Sequence, residues 1–469
     1  MLQLFVIAAY LVAVIAIGVW SRRRAGTQDG FFVAHRRGSL SLVTGSLLAT
    51  AVGGSALVVT ASWGFSFGLP GAWWLLVGSV GLLVLGFFFA RKVRGAGVYT
   101  LPELVEKQYD RRVGLAASVL IVVAWVGVVA GQIVAAGSFL SVLGIGSATS
   151  WMIVFTSVVV IYTVLGGQLS VLRTDVFQAA IVFGGILAAL AAVLSRVGGL
   201  GGLKACLPPD YFGLPLSPGF DAKALLSLLI LVGATYVVGP DMYSRLFCAK
   251  GQKTAQQSAI LSAFLFVPLA FAIAVIGMSA RVLYPQIASG DAFPQVVAEL
   301  PSPGLSSLIL AAVIAALMSS ADTCLLSQSI ILTQDVIKRF HPLDERKTVL
   351  LTRLGLVALA ILALGLALAL KQVYSSLMFA YTIFTCGLAV PVIAGFYRQK
   401  LKVTPNGALA ALIGGGITGL LGRIPGLHVP LKDDLGLIGF AASAVLLFGV
   451  SLLARNERST RGSGWRGTG

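Results

Sequence analysis

Residues 308–338 read LILAAVIAALMSSADTCLLSQSIILTQDVIK, the heart of an apolar stretch from Pro303 to Lys338. It is long enough to cross a bilayer, which takes about 20 residues. Ser319, Ser320 and Asp322 stand at its middle. Polar groups at that depth need partners and mark function. The same character extends outward through the chain: of 469 residues, 57% are hydrophobic and 11% charged, and the mean hydropathy is +0.94. A soluble protein of this length needs a more charged surface, so the composition points to an all-α integral membrane protein.

Thirteen segments are predicted to span the membrane, at 2–20, 40–62, 71–90, 114–140, 149–165, 174–195, 224–246, 256–280, 304–335, 348–370, 374–396, 406–422 and 434–453. The first is read as a retained helix, because Arg22, Arg23 and Arg24 follow it, whereas a signal peptide carries its positive charge in front. With the N-terminus outside, segments 21–38, 91–113, 166–173, 245–255, 336–353, 397–405 and the tail after 453 lie on the cytoplasmic side and hold 27 of the 34 Lys and Arg. That bias predicts a cytoplasmic C-terminus, in a bacterial plasma membrane. The net charge of +17 is thereby explained by orientation, with no basic stripe for nucleic acid. The tail RNERSTRGSGWRGTG is expected to be disordered beside anionic lipid. Cys206, Cys248, Cys324 and Cys386 have neither metal-ligand nor disulfide spacing.

Two spans are interrupted. The second, SLVTGSLLATAVGGSALVVTASW (41–63), carries Gly53-Gly54, and the seventh, ALLSLLILVGATYVVGPDMYSRLF (224–247), carries Gly239-Pro240. Close helix packing explains either one alone. Their spacing suggests more: five elements apart, they run in opposite directions and begin two five-helix units, the inverted-repeat pattern of secondary transporters. The chain then divides into 1–38 (first span and cytoplasmic loop), 39–196 (first repeat), 197–223 (extracytoplasmic loop), 224–397 (second repeat), 398–454 (two C-terminal spans) and 455–469 (tail).

Five segments occur in a telling order: D29-G-F-F-V-A-H-R-R37, T100-L-P-E-L-V-E-K107, G166-G-Q-L-S-V-L-R-T-D175, G239-P-D-M-Y-S-R245 and A315-A-L-M-S-S-A-D-T323. Together they resemble the sodium:solute symporter family over about residues 5–400. The resemblance implies a LeuT-like core of two inverted five-helix repeats, here spans two to eleven, and sodium-coupled solute uptake by alternating access. It implies Na+ as the coupling ion, a small organic solute as partner, and no organic cofactor. Oligomeric state is not legible.

A dehydrated sodium ion takes five or six oxygens at about 2.4 Å, in the range of other hard cations. Serine hydroxyls and the carbonyls of unwound helices supply them. By resemblance the sodium site comprises Ala49, Val52, Ala316, Ser319 and Ser320. The competing reading of the serines is packing or bonding back to their own helix. Asp322 either shapes the ion's surroundings or anchors a helix. Asp175 resembles an acidic position on an inward ion route, although the start of a helix favours an acid by capping alone.

Solute-lining candidates are Gly53, Gly54, Ser55, Thr235, Tyr236 and Gly239 beside the breaks, and in addition Trp125, Gln132 and Tyr381. Tyr236 resembles the aromatic that separates solute from the cytoplasmic exit, and core filling is the alternative. The text ATAVGGSAL lacks both the polar cluster of sugar carriers and the acid of proline carriers. The expected solute is therefore an amino acid or organic carboxylate, held by unwound-helix amides. Proton-coupled symport through Asp175 and Asp322 is the alternative, followed by a non-transporting receptor. His35, His341 and His428 are scattered and offer no nucleophile–base pair, which argues against an enzyme.

Overall fold

In hydrocarbon no water bonds a backbone amide, so an apolar chain must satisfy itself, and helices do so locally. The computed structural model describes residues 2–21, 27–141, 146–300, 302–423, 431 and 434–463. Their regular elements are helical, apart from single bridges at Gly38–Ala249 and Ser217–Phe220. Arg22, Arg23, Arg24 and His428 lie outside the described residues.

In chain order the main helices are α1 (Leu2–Ser21), α2 (Leu40–Ala51), α3 (Gly54–Phe67), α4 (Leu69–Gly95), α5 (Leu101–Gln108), α6 (Arg111–Ser141) and α7 (Ala148–Arg196). There follow α8 (Ala222–Cys248), α9 (Gln252–Leu283), α10 (Pro303–Phe340), α11 (Glu345–Leu370), α12 (Val373–Gly395), α13 (Pro405–Leu421) and α14 (Leu435–Ser463). Polar side chains start many of them. The Ser39 hydroxyl accepts from the Leu42 amide, Asp221 from Ala224 at 2.7 Å and Asp344 from Lys347 at 2.7 Å, each satisfying an amide that the helix leaves free.

Among the described residues nine helices are long and apolar enough to cross a membrane, or ten if the bent pair α2 and α3 is one span. The apolar stretch Phe5–Ile17 of α1 and the helix α13 are shorter. The chain is thus a multi-pass membrane protein, but thirteen separate spans are not what is observed. The expected fifth and sixth spans, 149–165 and 174–195, both lie in the 49-residue α7. A straight helix of that length would be about 74 Å long, over twice the roughly 30 Å of hydrocarbon. Gly167 breaks it, with φ 58° and ψ −163°, a conformation open essentially to glycine alone. Hence the expected loop 166–173 is not a loop. At the far end α14 continues to Ser463, so the tail expected to be disordered is helical to that residue. Between Ala454 and Gly462 there is no glycine or proline to stop it.

The central element is α10. Of its most apolar stretch 94% is buried, against 33% for α11 and 22% for α14. It packs on α6, α7 and the two halves of the bent pair, while α13 and α14 pack chiefly on one another at the periphery.

Candidate functional site

The site grows from two broken helices facing α10. Between α2 and α3 the path bends by 53°, with Val52 at φ −86°, ψ 49° and Gly53 extended at φ −61°, ψ 151°. Side chains from neighbouring helices satisfy the groups this frees. Gln132 of α6 accepts from the Ser55 amide at 3.1 Å and donates to the Ser55 hydroxyl at 2.7 Å. In α8 the break falls at Gly239, again extended (φ −62°, ψ 137°), and Pro240 has no N–H to leave unpaired. The Tyr236 hydroxyl reaches from that break to the Ala51 carbonyl at 3.4 Å.

Against the first break lies the serine pair. The Ser319 hydroxyl donates to the carbonyls of Ala49 and Ala316, both at 3.0 Å, and Ser320 donates to the Thr50 carbonyl at 2.8 Å. Three of the five expected sodium ligands, Ala49, Ala316 and Ser319, therefore cluster directly. Ser320 joins them through Thr50, a residue the sequence reading missed, and Val52 forms the break itself. The close approach requires glycine: a Cβ on Gly53 would collide with Ser320 Oγ, and one on Gly54 would meet Leu317 Cδ2 at 2.5 Å.

One turn further along α10 a buried polar network begins. Asp322 accepts from the Tyr162 hydroxyl and, at 3.1 Å, from Thr323, so it ties α10 to α7. Thr323 donates to the Ser319 carbonyl at 2.7 Å and receives the Arg245 guanidinium. Arg245, wholly buried, pairs with wholly buried Asp175 at 3.0 Å and reaches the Thr50 hydroxyl at 3.3 Å; Asp175 also accepts from Ser46. Two expectations are corrected. Asp175 is no helix cap, because it lies two turns past Gly167 inside α7. Arg245 is no cytoplasmic surface charge, because its side chain is wholly buried against Asp175. The sequence offered one signal for this network: Thr323 sits one helical turn after Ser319 and Ser320.

A small cavity of about 30 Å³ lies between the breaks; it has room for water and must widen to admit an organic solute. Gly53, Ser55, Trp125 and Gln132 line it from one side and Thr235, Tyr236 and Tyr381 from the other, together with Ser320. Gly54 and Gly239 do not line it; their missing side chains admit Leu317 and the Thr235 carbonyl instead. Asp241, absent from the expected set, does line it. Val58, Val59 and Val134, about a turn away, border a second cavity of about 400 Å³ walled by Trp63 and Tyr374.

A model of the sodium:solute symporter family matches residues 31–415. The chain belongs to the sodium:solute symporter family. This symporter is 27% identical over 482 residues to sodium/glucose cotransporter 2 of Rattus norvegicus, covering 90% of its own length and 71% of the relative. It is 26% identical to a sodium/glucose cotransporter of Vibrio parahaemolyticus, covering 92% and 87%. A solved substrate-bound, outward-open Na+-coupled sialic acid symporter superposes with a TM-score of 0.82 at 19% identity, covering 97% of this chain and 98% of that one. A closed nucleobase-cation-symport-1 transporter gives 0.57 at 14% identity, covering 92% and 96%. The helix packing of this symporter is LeuT-like. It moves a small organic solute with sodium as its coupling ion, and it is a transporter rather than an enzyme.

Proposed function

We propose that this symporter carries a small, uncharged, hydroxyl-rich solute together with sodium. The observation that carries this reading is the lining of the cavity between the breaks: hydroxyls, an amide and three aromatic rings, with no lysine or arginine and with one carboxylate, Asp241. An anionic solute would meet that carboxylate with no cation in the lining, Arg245 behind it being already paired with Asp175, which is unfavourable in a dry site. The amide that might have received a carboxylate at the first break, that of Ser55, is already bonded to Gln132. The expected preference for an amino acid or organic carboxylate therefore finds no support. Hydroxyls of a sugar or polyol suit the polar lining, and its ring face suits Trp125, Tyr236 and Tyr381. The names of the glucose and myo-inositol cotransporters among the relatives agree with this class.

For sodium we assign the carbonyls of Ala49, Val52 and Ala316 and the hydroxyls of Ser319 and Ser320. The support is the clustering of the Ser319 hydroxyl with two of those carbonyls at 3.0 Å. The same reading takes residues 39–196 and 224–397 as inverted repeats, with α7 passing twice through the bilayer about Gly167. The basic loops face the cytoplasm and the N-terminus lies outside.

The test is uptake by proteoliposomes under an imposed sodium gradient, using D-glucose, D-galactose, myo-inositol, N-acetylneuraminate and L-proline. Concentrative, sodium-dependent uptake of one of the three neutral polyols is expected. Uptake confined to N-acetylneuraminate or L-proline refutes the solute class.

A further inference from the structure

Two polar atoms in the cavity between the breaks lack strong side-chain partners. Trp125 of α6 is 1% exposed, packs edge-on against Phe384 with ring centroids 4.4 Å apart, and its indole Nε1 has no oxygen acceptor, facing only the weakly accepting thiol of Cys324. Asp241, two residues past the break in α8, turns its carboxyl toward the amides that open this helix segment, and its Oδ1, held away from solvent, has no side-chain donor. Both residues line the cavity. Several other polar groups of the lining are engaged with the protein. Gln132 and Ser55 bond each other, Thr235 donates to the Val232 carbonyl at 2.6 Å, and Ser320 donates to Thr50. Buried polar atoms are nearly always paired, so a donor and an acceptor left this weakly paired in one cavity need a reason.

We infer that Trp125 and Asp241 read the solute. The indole N–H donates to a solute oxygen, and Asp241 Oδ1 accepts from a solute hydroxyl. A hydroxyl group both donates and accepts, so a polyol satisfies the two atoms with one or two adjacent groups. A carboxylate satisfies the indole but repels Asp241, and an ammonium does the reverse. The pair therefore selects for neutrality as well as for hydroxyls. This inference deepens the proposed hydroxyl-rich solute and rests on it. A site built to bond a hydroxyl rejects the analogue lacking it strongly, because its own buried atom is then left unpaired.

The experiment crosses variants with deoxygenated solutes. Wild type, Asp241→Asn and Trp125→Phe are reconstituted in proteoliposomes. Sodium-driven uptake is measured for D-glucose, D-galactose and myo-inositol, and then for the mono-deoxy analogues of whichever is carried. In wild type, at least one deoxy analogue should lose about tenfold or more in kcat/KM. Asp241→Asn should raise the KM of the parent solute by a similar factor and reduce the penalty of that one deoxy position to under threefold, without a matching shift in sodium half-saturation. Trp125→Phe should erase the penalty for an acceptor-deleted position, and it decides the question if Asp241→Asn does not fold. If the parent solute is carried but both variants keep every wild-type deoxy penalty, the assignment of Trp125 and Asp241 is overturned and the transport reading stands. If wild type carries none of the neutral polyols, the hydroxyl reading and this assignment fall together.

Discussion

Ser319 and Ser320 adjoin in sequence, yet their hydroxyls reach different carbonyls, those of Ala49 and Thr50. With both as sodium ligands, Ser319→Ala combined with Ser320→Ala should raise the sodium concentration for half-maximal uptake at least about tenfold, equivalent to about 1.4 kcal/mol. An unchanged sodium titration would return the serines to a packing role. Arg245 and Asp175 make a prediction of another kind, since both are wholly buried and paired at 3.0 Å. Removing one partner strands the other charge, and Arg245→Ala should cost about 3–5 kcal/mol, whereas replacing both members by apolar residues of similar volume should cost much less. Thermal unfolding in detergent separates the two outcomes: a double-variant loss equal to the sum of the two single losses would mean the pair is not coupled. Asp241 shows how a residue stays hidden in sequence. It reads as an ordinary acid at a helix start, and only the cavity reveals that its Oδ1 lacks a side-chain donor.

Breaks give the helices their function, and glycine makes the breaks. Gly53 and Gly239 both take extended dihedrals between helical segments, and the sequence flagged both through Gly-Gly and Gly-Pro. Gly53→Ala should cut the uptake rate at least about tenfold by pushing Ser320 and Gln132 out of place, with expression retained; wild-type uptake would show that the break tolerates a Cβ. The sequence places a turn between the fifth and sixth spans at 166–173, and the structure narrows it to Gly167. Its positive φ and the Phe31 ring only 2.6 Å from where a Cβ would stand make Gly167→Ala strained and crowded at once. Loss of monodisperse protein is expected on size-exclusion chromatography, and a well-behaved variant would count against a structural role for this turn. The widened turns Leu229–Gly233 and Thr385–Ala389 escape sequence reading as well. Thr385 donates to the Leu231 carbonyl at 2.9 Å, and that pairing of freed group and hydroxyl is tertiary.

Across the molecule, the two faces of the bundle differ. On the basic face the loops are clasped. Glu106 of α5 accepts from Arg339 at the end of α10, and the Arg339 and Arg111 guanidinium groups each bond the other's carbonyl, at 2.6 and 3.1 Å. Gly38 bonds Cys248 at 2.8 Å and Lys250 at 2.9 Å, joining the entry to α2 to the exit from α8. Arg36 holds the Gly97 and Val98 carbonyls at 3.1 Å, and Asp29 accepts from Tyr99, whose phenol burial and that carboxylate push up to about 12. The opposite face carries the cavity of about 400 Å³ beside Trp63 and Tyr374. Loosening the clasp should shift the population toward opening on the basic face. In a Cys206→Ala background, Arg339→Ala should speed N-ethylmaleimide modification of Cys324, which is buried and lines the inner cavity, by several-fold; an unchanged rate would remove the clasp from the gate. By itself the sequence determined the membrane class, the two broken helices, the family and the serine pair. These follow from hydropathy, local backbone chemistry and motifs contained within one segment. Only the tertiary structure decided that the two halves of α7 meet at Gly167 alone with no loop between them, that Arg245 turns inward to Asp175, and that Asp241 and Trp125 share a cavity. Those facts depend on which residues from distant segments meet, and a buried polar atom's need for a partner becomes visible only when its neighbours are known.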